Sequence, residues 1–138
     1  MIVLDTNVLS ELIRPAPEPK VLAWLEAQAL DALFTTAISR AEMLFGVHIL
    51  PDGRRRDDLL REVKAIFSED LAGCVLAFDD AAADAYAEIA AQCRRIGRPS
   101  SQSDLMIAGI VRARGATLAT RNGRDFEGAG ITVVDPWR

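Results

Sequence analysis

Short apolar runs that break at once onto polar residues, each followed by a helical stripe, constrain this chain more than any other feature. Ile2-Val3-Leu4 runs straight into Asp5-Thr6-Asn7, after which Val8, Leu9, Leu12 and Ile13 recur at helical spacing until Pro15 and Pro17 end the stripe. A second helix fits Glu18 to Leu30, with Pro19 tolerated in its first turn and Val21, Leu25 and Ala29 on one face. Leu33 to Thr36 reads as a strand, and Ser39-Arg40-Ala41-Glu42 opens a helix that runs to Ile49. Beyond the turn at Pro51-Asp52-Gly53, Arg54, Arg55 and Arg56 introduce a longer helix carrying Leu59, Val63, Ile66 and Phe67. Cys74 to Phe78 is a third strand. Asp79 and Asp80 are then N-cap candidates for a helix on which Ala82, Tyr86, Ile89, Cys93 and Ile96 step by four and three, ending before Gly97. Ser103-Asp104 begins another helix, with Met106, Ile107, Ile110 and Val111 as its apolar stripe and Gly115 as its stop. Thr117 to Thr120 and Ile131 to Val134 complete the strands. Strands alternating with amphipathic helices specify a parallel sheet covered by helices on both faces, here as one α/β domain over residues 1–138.

Composition narrows the class. Half of the 138 residues are hydrophobic and 26% are charged, enough to build a core without a disulfide or metal staple and too apolar for disorder. Cys74 and Cys93 stand in no CxxC or CxxH spacing and read as reduced thiols of a cytoplasmic protein. No apolar run approaches the roughly 18 residues of a membrane span. Met1 to Asp5 carries no basic stretch and meets a carboxylate at once, which argues against a secretory signal. A net charge of −4 argues against nucleic-acid binding through a broad basic face, but not against an acidic pocket that holds cations which then bind phosphate.

In an open parallel sheet, ligands bind beyond the carboxyl ends of the strands. Asp5 follows the first strand, Glu42 lies in the first turn of the helix after the second, and Asp104 lies in the first turn of the helix before the fourth. Asn122 and Asp125 follow the fourth strand. Each has a purely local explanation: Asp5 can cap a helix, Ser39-x-x-Glu42 matches a capping box, and Ser101-x-x-Asp104 resembles one. Gathered on one rim, however, uncompensated carboxylates repel and raise each other's pKa, a cost that a hard oxygen-seeking cation such as Mg²⁺ removes. No GxGxxG, Walker A or GxSxG motif is present, and the only histidine, His48, has no partner at zinc-ligand spacing. The clusters Arg54 to Arg56 and Arg94, Arg95 and Arg98 read as solvated faces, whereas Arg121 and Arg124 flank the acidic positions where phosphate would sit.

The order Leu4-Asp5-Thr6-Asn7-Val8, Ser39-x-x-Glu42 with Gly46, Ser103-Asp104-x-x-Ile107-Ala108, and Ala119-Thr120-Arg121-Asn122-x-x-Asp125-Phe126 resembles the PIN-domain family along the whole chain. The length and the closing Pro136-Trp137 resemble its VapC/FitB-type toxin branch. The resemblance implies a three-layer α/β/α sandwich with a central parallel sheet. It also implies an endoribonuclease that needs Mg²⁺ or Mn²⁺, works with a metal-activated water, is silenced by a cognate antitoxin and forms a homodimer. Asp5, Glu42 and Asp104 match the family's acidic metal-site residues. Its fourth acidic position is Asn122 here, leaving open whether Asp125 supplies the missing charge as a further metal ligand. Thr6 and Thr120 match polar residues lining the site, Asn7 the conformationally permissive turn residue, and Arg121 adjoins the substrate.

Two other classes compete. A haloacid-dehalogenase-like phosphatase also opens with a strand ending in Asp, but requires a second Asp where Asn7 stands; a receiver-like binding module would use the acids only as caps. For the homodimer, Trp137, Tyr86 and the helices after the second strand offer apolar surface. For the antitoxin, an arginine reaching into the acidic rim, with an apolar segment laid over the early helices, is the expected mode.

Overall fold

Residues Ile2–Leu4 form β1 at the middle of a five-stranded sheet in which every neighbouring pair is parallel. The computed structural model describes all 138 residues. With β2 at Leu33–Thr36, β3 at Val75–Leu76, β4 at Thr117–Ala119 and β5 at Thr132–Val134, the order across the sheet is β3-β2-β1-β4-β5. The chain therefore leaves β1 in one direction, returns, and leaves it again on the other side. The gap between β1 and β4 is the point where the strand order reverses, and ligands of such sheets bind there.

The six helices are α1 (Thr6–Leu12), α2 (Pro19–Glu26), α3 (Ala37–His48), α4 (Arg54–Ala65), α5 (Asp80–Arg95) and α6 (Gln102–Arg114). Strand alternation divides the core in two. Val3 and Leu118 enter a cluster with Ile89, Cys93, Ile107, Ile110 and Val111 from α5 and α6. Leu4 and Ala119, one residue on, enter a second cluster with Val8, Leu9, Val21, Met43, Val47 and Val63 from α1 to α4. This is the expected three-layer α/β/α sandwich, each sheet face buried by helices.

Several boundaries differ from those read in the sequence. The second helix ends at Glu26 rather than Leu30, because the Gln28 side-chain amide donates to the Trp24 carbonyl at 2.9 Å and the Gln28 N–H turns back to Leu25. Leu30 is left 88% exposed. The third helix starts at Ala37, so Ser39 is not its cap: the Thr36 hydroxyl accepts from the Ser39 N–H at 3.0 Å and does the capping. The helix after Arg54 widens into a π-helical turn at Ile66–Asp70, which buries Ile66 and Phe67 together. The third strand keeps only two of its five expected residues, and Ile96 leaves the apolar stripe as an exposed C-cap. Asp79, Ser101 and Gly115 act as the sequence predicts, the first two capping α5 and α6 and the last closing α6 with φ 61°. Both cysteines are free. No helix is long and apolar enough to cross a membrane.

The surface apolar groups are not those expected. Tyr86 is half-buried, edge-on to Phe78 with ring centroids 5.9 Å apart, and Trp137 is half-buried beneath Arg121. The exposed large side chains on α3 and at its end are Phe45 and Ile49, 55% and 70% exposed.

Gly109 sets the approach of α6 to α5. A Cβ there would lie 2.7 Å from the Ala82 carbonyl oxygen and 3.1 Å from Tyr86 Cβ, so the two helices would have to separate. Gly109→Ala is expected to destabilise the chain by about 1–3 kcal/mol despite alanine's better helix propensity. Urea denaturation should read this as a lower midpoint; an unchanged or raised midpoint would show that the helix pair can shift freely.

Candidate active site

Asp5 ends β1 and caps α1, and both roles fix its carboxylate. Its Oδ1 accepts from the Thr6 N–H at 2.8 Å. Its Oδ2 accepts from the Thr120 hydroxyl at 2.7 Å, across the gap where the strand order reverses, and from the Asn7 amide at 3.3 Å. Thr120 is fully buried at the end of β4 and has both lone pairs occupied, by Asn7 Nδ2 at 3.0 Å and the Asn122 N–H at 3.1 Å. Asn7 completes the knot by accepting from the Arg121 N–H at 3.2 Å. No residue other than glycine has positive φ, so Asn7 is not a permissive turn residue; it lies within α1 and is used for its amide.

Glu42 is oriented from the same turn. Thr6 Oγ1 lies 2.9 Å from Glu42 Oε1 and 3.0 Å from Ser39 Oγ. An ionised carboxylate only accepts, so Thr6 donates to Glu42 and takes its own hydrogen bond from Ser39. Ser39 is thus the buried foot of a Ser39–Thr6–Glu42 relay rather than half of a capping box. Asp104 lies in the first turn of α6, its N–H donating to the Ser101 hydroxyl at 3.1 Å.

These groups meet. Asp5, Thr6, Asn7, Glu42, Asp104, Arg121 and Asn122 line one pocket of about 480 Å³, together with Ser10, Glu11, Arg14 and Trp137. Of the four separated segments that the sequence offered, three therefore bring their carboxylates to one rim. Asp125 does not line it. It lies in the 3₁₀ turn Gly123–Phe126 and faces an adjoining hollow, to which Asn122 and Arg121 also belong. Its charge nonetheless reaches Asp104. Ser10, Glu11 and Arg14 have no place among the sequence-derived site residues, and Trp137, expected as dimer surface, lines the pocket instead.

Burial holds the Asp5 carboxyl above the usual carboxylate range; the Thr120 and Thr6 hydrogen bonds pull it back, and the charges of Asp104 and Glu42 push it up again. Burial likewise raises Asp104, with Ser101 opposing and the charge of Asp125 adding. The donor set suits a hard divalent cation: carboxylate oxygens with hydroxyl and amide oxygens, and neither thiolate nor imidazole among the lining groups. No three of the acids stand close enough together to hold an ion between them. An open arrangement fits an ion that keeps several of its waters.

A PIN domain model matches residues 2–131. The chain belongs to the PIN domain family. It is 41% identical to the VapC ribonuclease Y4jK of Sinorhizobium fredii over 137 residues, 99% of this chain and 98% of that one. Identity to Toxin FitB of Neisseria gonorrhoeae is 35% over 137 residues, 99% of both chains. The crystal structure of FitAcB from Neisseria gonorrhoeae superposes with a TM-score of 0.92 at 35% identity, covering 100% of this chain and 99% of the other. The PIN fold inferred from the sequence thus agrees with relatives matched over nearly their whole length.

The raised carboxyls give a pH signature. A carboxyl whose folded pKa lies above its unfolded value favours the folded state at low pH, and that contribution is lost as pH rises through the folded pKa. A cation bound to the ionised pair opposes the loss, and protons compete with it from above the ordinary carboxylate range. Thermal melts should show stabilisation by Mn²⁺ at neutral pH that shrinks early on acidification and is absent in Asp5→Asn. A stabilisation independent of pH would place the ion elsewhere.

Proposed function

We propose that this PIN-domain protein is an endoribonuclease dependent on Mg²⁺ or Mn²⁺, the toxin of a toxin–antitoxin pair. The observation that carries the reading is the convergence of Asp5, Glu42 and Asp104 on one pocket at the carboxyl ends of β1 and β4. Family membership and the ribonuclease and toxin relatives support the same reading.

Asp5 and Asp104 would hold the ion, with Glu42 completing the set, and the ion would supply phosphate neutralisation and water activation. The chain's own residues supply geometry. Thr120 and the Thr6 N–H lock the Asp5 carboxylate, and Thr6 fixes Glu42 where it can orient or accept a proton from the attacking water. Arg121 lies with its guanidinium carbon 5.0 Å from the centre of the Trp137 ring, which holds a positive charge at the pocket edge for a phosphate of the RNA chain. Asn122 stands where a fourth acid is expected, and Asp125 supplies the missing charge from the adjoining hollow.

The partners follow from two surfaces. A groove of about 870 Å³ runs between the end of α1 and α4, floored by Leu12, Ile13, Leu59 and Ile66 and edged by Arg54, Arg55, Asp58 and Glu62. Arg14 borders both this groove and the acidic pocket. An antitoxin segment lying in the groove can therefore extend an arginine onto the carboxylates, as the acidic rim suggests. Phe45 and Ile49 on α3 and at its end mark the surface for a homodimer.

Cleavage of RNA should require Mg²⁺ or Mn²⁺, vanish in excess EDTA, and be abolished by Asp5→Asn or Asp104→Asn with folding retained. In the same titration Asp125→Asn should raise the half-saturating Mn²⁺ concentration and Asn122→Asp should lower it. Full activity in EDTA would sink the metal-dependent reading, and a Mn²⁺ dependence indifferent to Asp125→Asn would remove that residue from the site. Light scattering should give twice the chain mass, reduced to a single chain by Phe45→Glu with Ile49→Glu. Expression of the chain without its antitoxin should arrest bacterial growth; harmless accumulation of active enzyme would exclude the toxin role.

A further inference from the structure

Glu11 is the one carboxylate of the pocket that a cation site does not use. It is 4% exposed, on the face of α1 that carries Val8 and Leu9 into the core. Both of its oxygens accept from a single nitrogen of Arg14, Nη1, at 3.0 and 2.9 Å, and Oε1 also accepts from the Glu18 N–H at 3.3 Å. Arg14 is otherwise a surface residue, its side chain 61% exposed. Its backbone is held as well, by an N–H bond to the Glu11 carbonyl at 3.3 Å and by Pro15 following it.

The pairing is unusual in a useful way. Arginine–carboxylate pairs are frequently bidentate, with two nitrogens presented fork to fork. Here one nitrogen satisfies both oxygens, so the Nη2–Nε edge keeps its donors, in the geometry that grips a phosphate by two parallel hydrogen bonds. The edge belongs to a residue lining the same pocket as Asp5, Glu42 and Asp104. A polyanion approaching three carboxylates needs fixed positive charge beside them, and Arg14 and Arg121 are the only basic residues of that lining.

Building on the ribonuclease reading, we infer that Arg14 is a substrate-positioning residue: Glu11 holds it at the mouth of the acidic pocket, and its free edge binds a phosphate of the RNA flanking the one that is cleaved. Glu11 is its anchor and does not touch substrate. The local alternative is that Arg14 merely covers the charge of Glu11, and the two differ in what happens when both are neutralised.

The test is steady-state cleavage of a single-site oligoribonucleotide in Mn²⁺ across a range of salt, with urea denaturation of each variant. Arg14→Gln should raise KM about tenfold or more, because a charge-assisted phosphate contact is lost. It should also flatten the dependence of log KM on log salt by about 0.7, the share of one phosphate on a single strand. Half-saturating Mn²⁺ should stay at the wild-type value. Arg14→Lys should recover the salt slope and only part of KM, since it returns the charge without the fork. Arg14→Gln leaves Glu11 buried and unpaired and should lower stability; adding Glu11→Gln should restore stability while the KM defect remains. Wild-type KM and salt slope in Arg14→Gln, or a KM defect that disappears as stability returns in the double variant, would overturn the inference. If the wild-type protein does not cleave RNA with Mn²⁺, the ribonuclease reading fails and takes this inference with it.

Discussion

The hydrogen bond from Thr120 to Asp5 joins two strands that are 115 residues apart in the chain and neighbours in the sheet. It spans the one gap in a parallel sheet where two connections diverge to opposite sides and leave the strand ends uncovered. Everything that makes the pocket depends on that register. Leu4 pairs with Ala119, so the next residues on each strand, Asp5 and Thr120, emerge together; the Asp5 N–H bonds to the Ala119 carbonyl at 3.0 Å and confirms the alignment. A slip of one residue would turn Asp5 toward the opposite sheet face and exchange the two hydrophobic clusters. The register that packs Val3 and Leu118 against α5 and α6 is therefore the register that builds the site.

That coupling explains why a chain tolerates a buried carboxylate at its centre. Asp5 would be costly as an isolated charge, and burial does push its pKa up. The Thr6 N–H, the Thr120 hydroxyl and the Asn7 amide surround it with donors contributed by the start of α1 and the end of β4. The donors are themselves committed, since Asn7 and Thr120 bond to each other and to the Arg121 and Asn122 N–H groups. A fully connected network of this kind keeps the carboxylate in one orientation without moving parts. What remains unbalanced is the charge of Glu42 and Asp104, which an ion or a cationic side chain would offset.

Much of this was legible in the sequence because the signals were local. A carboxylate directly after a short apolar run, and acids in the first turns of helices, give Asp5, Glu42 and Asp104 without knowledge of the sheet order. The fold class follows in the same way from alternating periodicities. What was misread turned on a boundary or on a partner far along the chain. Ser39-x-x-Glu42 has the spacing of a capping box, but Thr36, β-branched and at the end of a strand, is strand end and helix cap at once. Asn7 was assigned for its backbone freedom because its partners, Thr120 and Arg121, lie 113 and 114 residues away. Asp125 shares a helical turn with Asn122 as its spacing suggested; the turn faces it to the neighbouring hollow, from which its charge still reaches Asp104. Glu11 had a visible signal that went unused: an acid between Leu9 and Leu12 on the buried stripe, with an arginine three residues on.

The placement of arginines completes the logic of an acidic chain that handles a polyanion. A broad basic surface would attract nucleic acid of any kind, and the net charge of −4 forgoes that. Instead the positive charges at the pocket are two, and each is immobilised before substrate arrives: Arg121 against the Trp137 ring, Arg14 on the buried Glu11. Pre-ordering an arginine removes the entropy that a free side chain loses on gripping a phosphate, so few contacts suffice. The same economy exposes the site to inhibition. Arg14 borders both the apolar groove along α4 and the acidic pocket, so a partner segment lying in that groove would be led to the three acids. An inhibitor need only offer what the pocket lacks, a guanidinium on the carboxylates, while its apolar residues bury Leu12, Ile13 and Leu59. On the proposed function, catalysis and silencing would draw on one charge imbalance, set by the alignment of two strand ends.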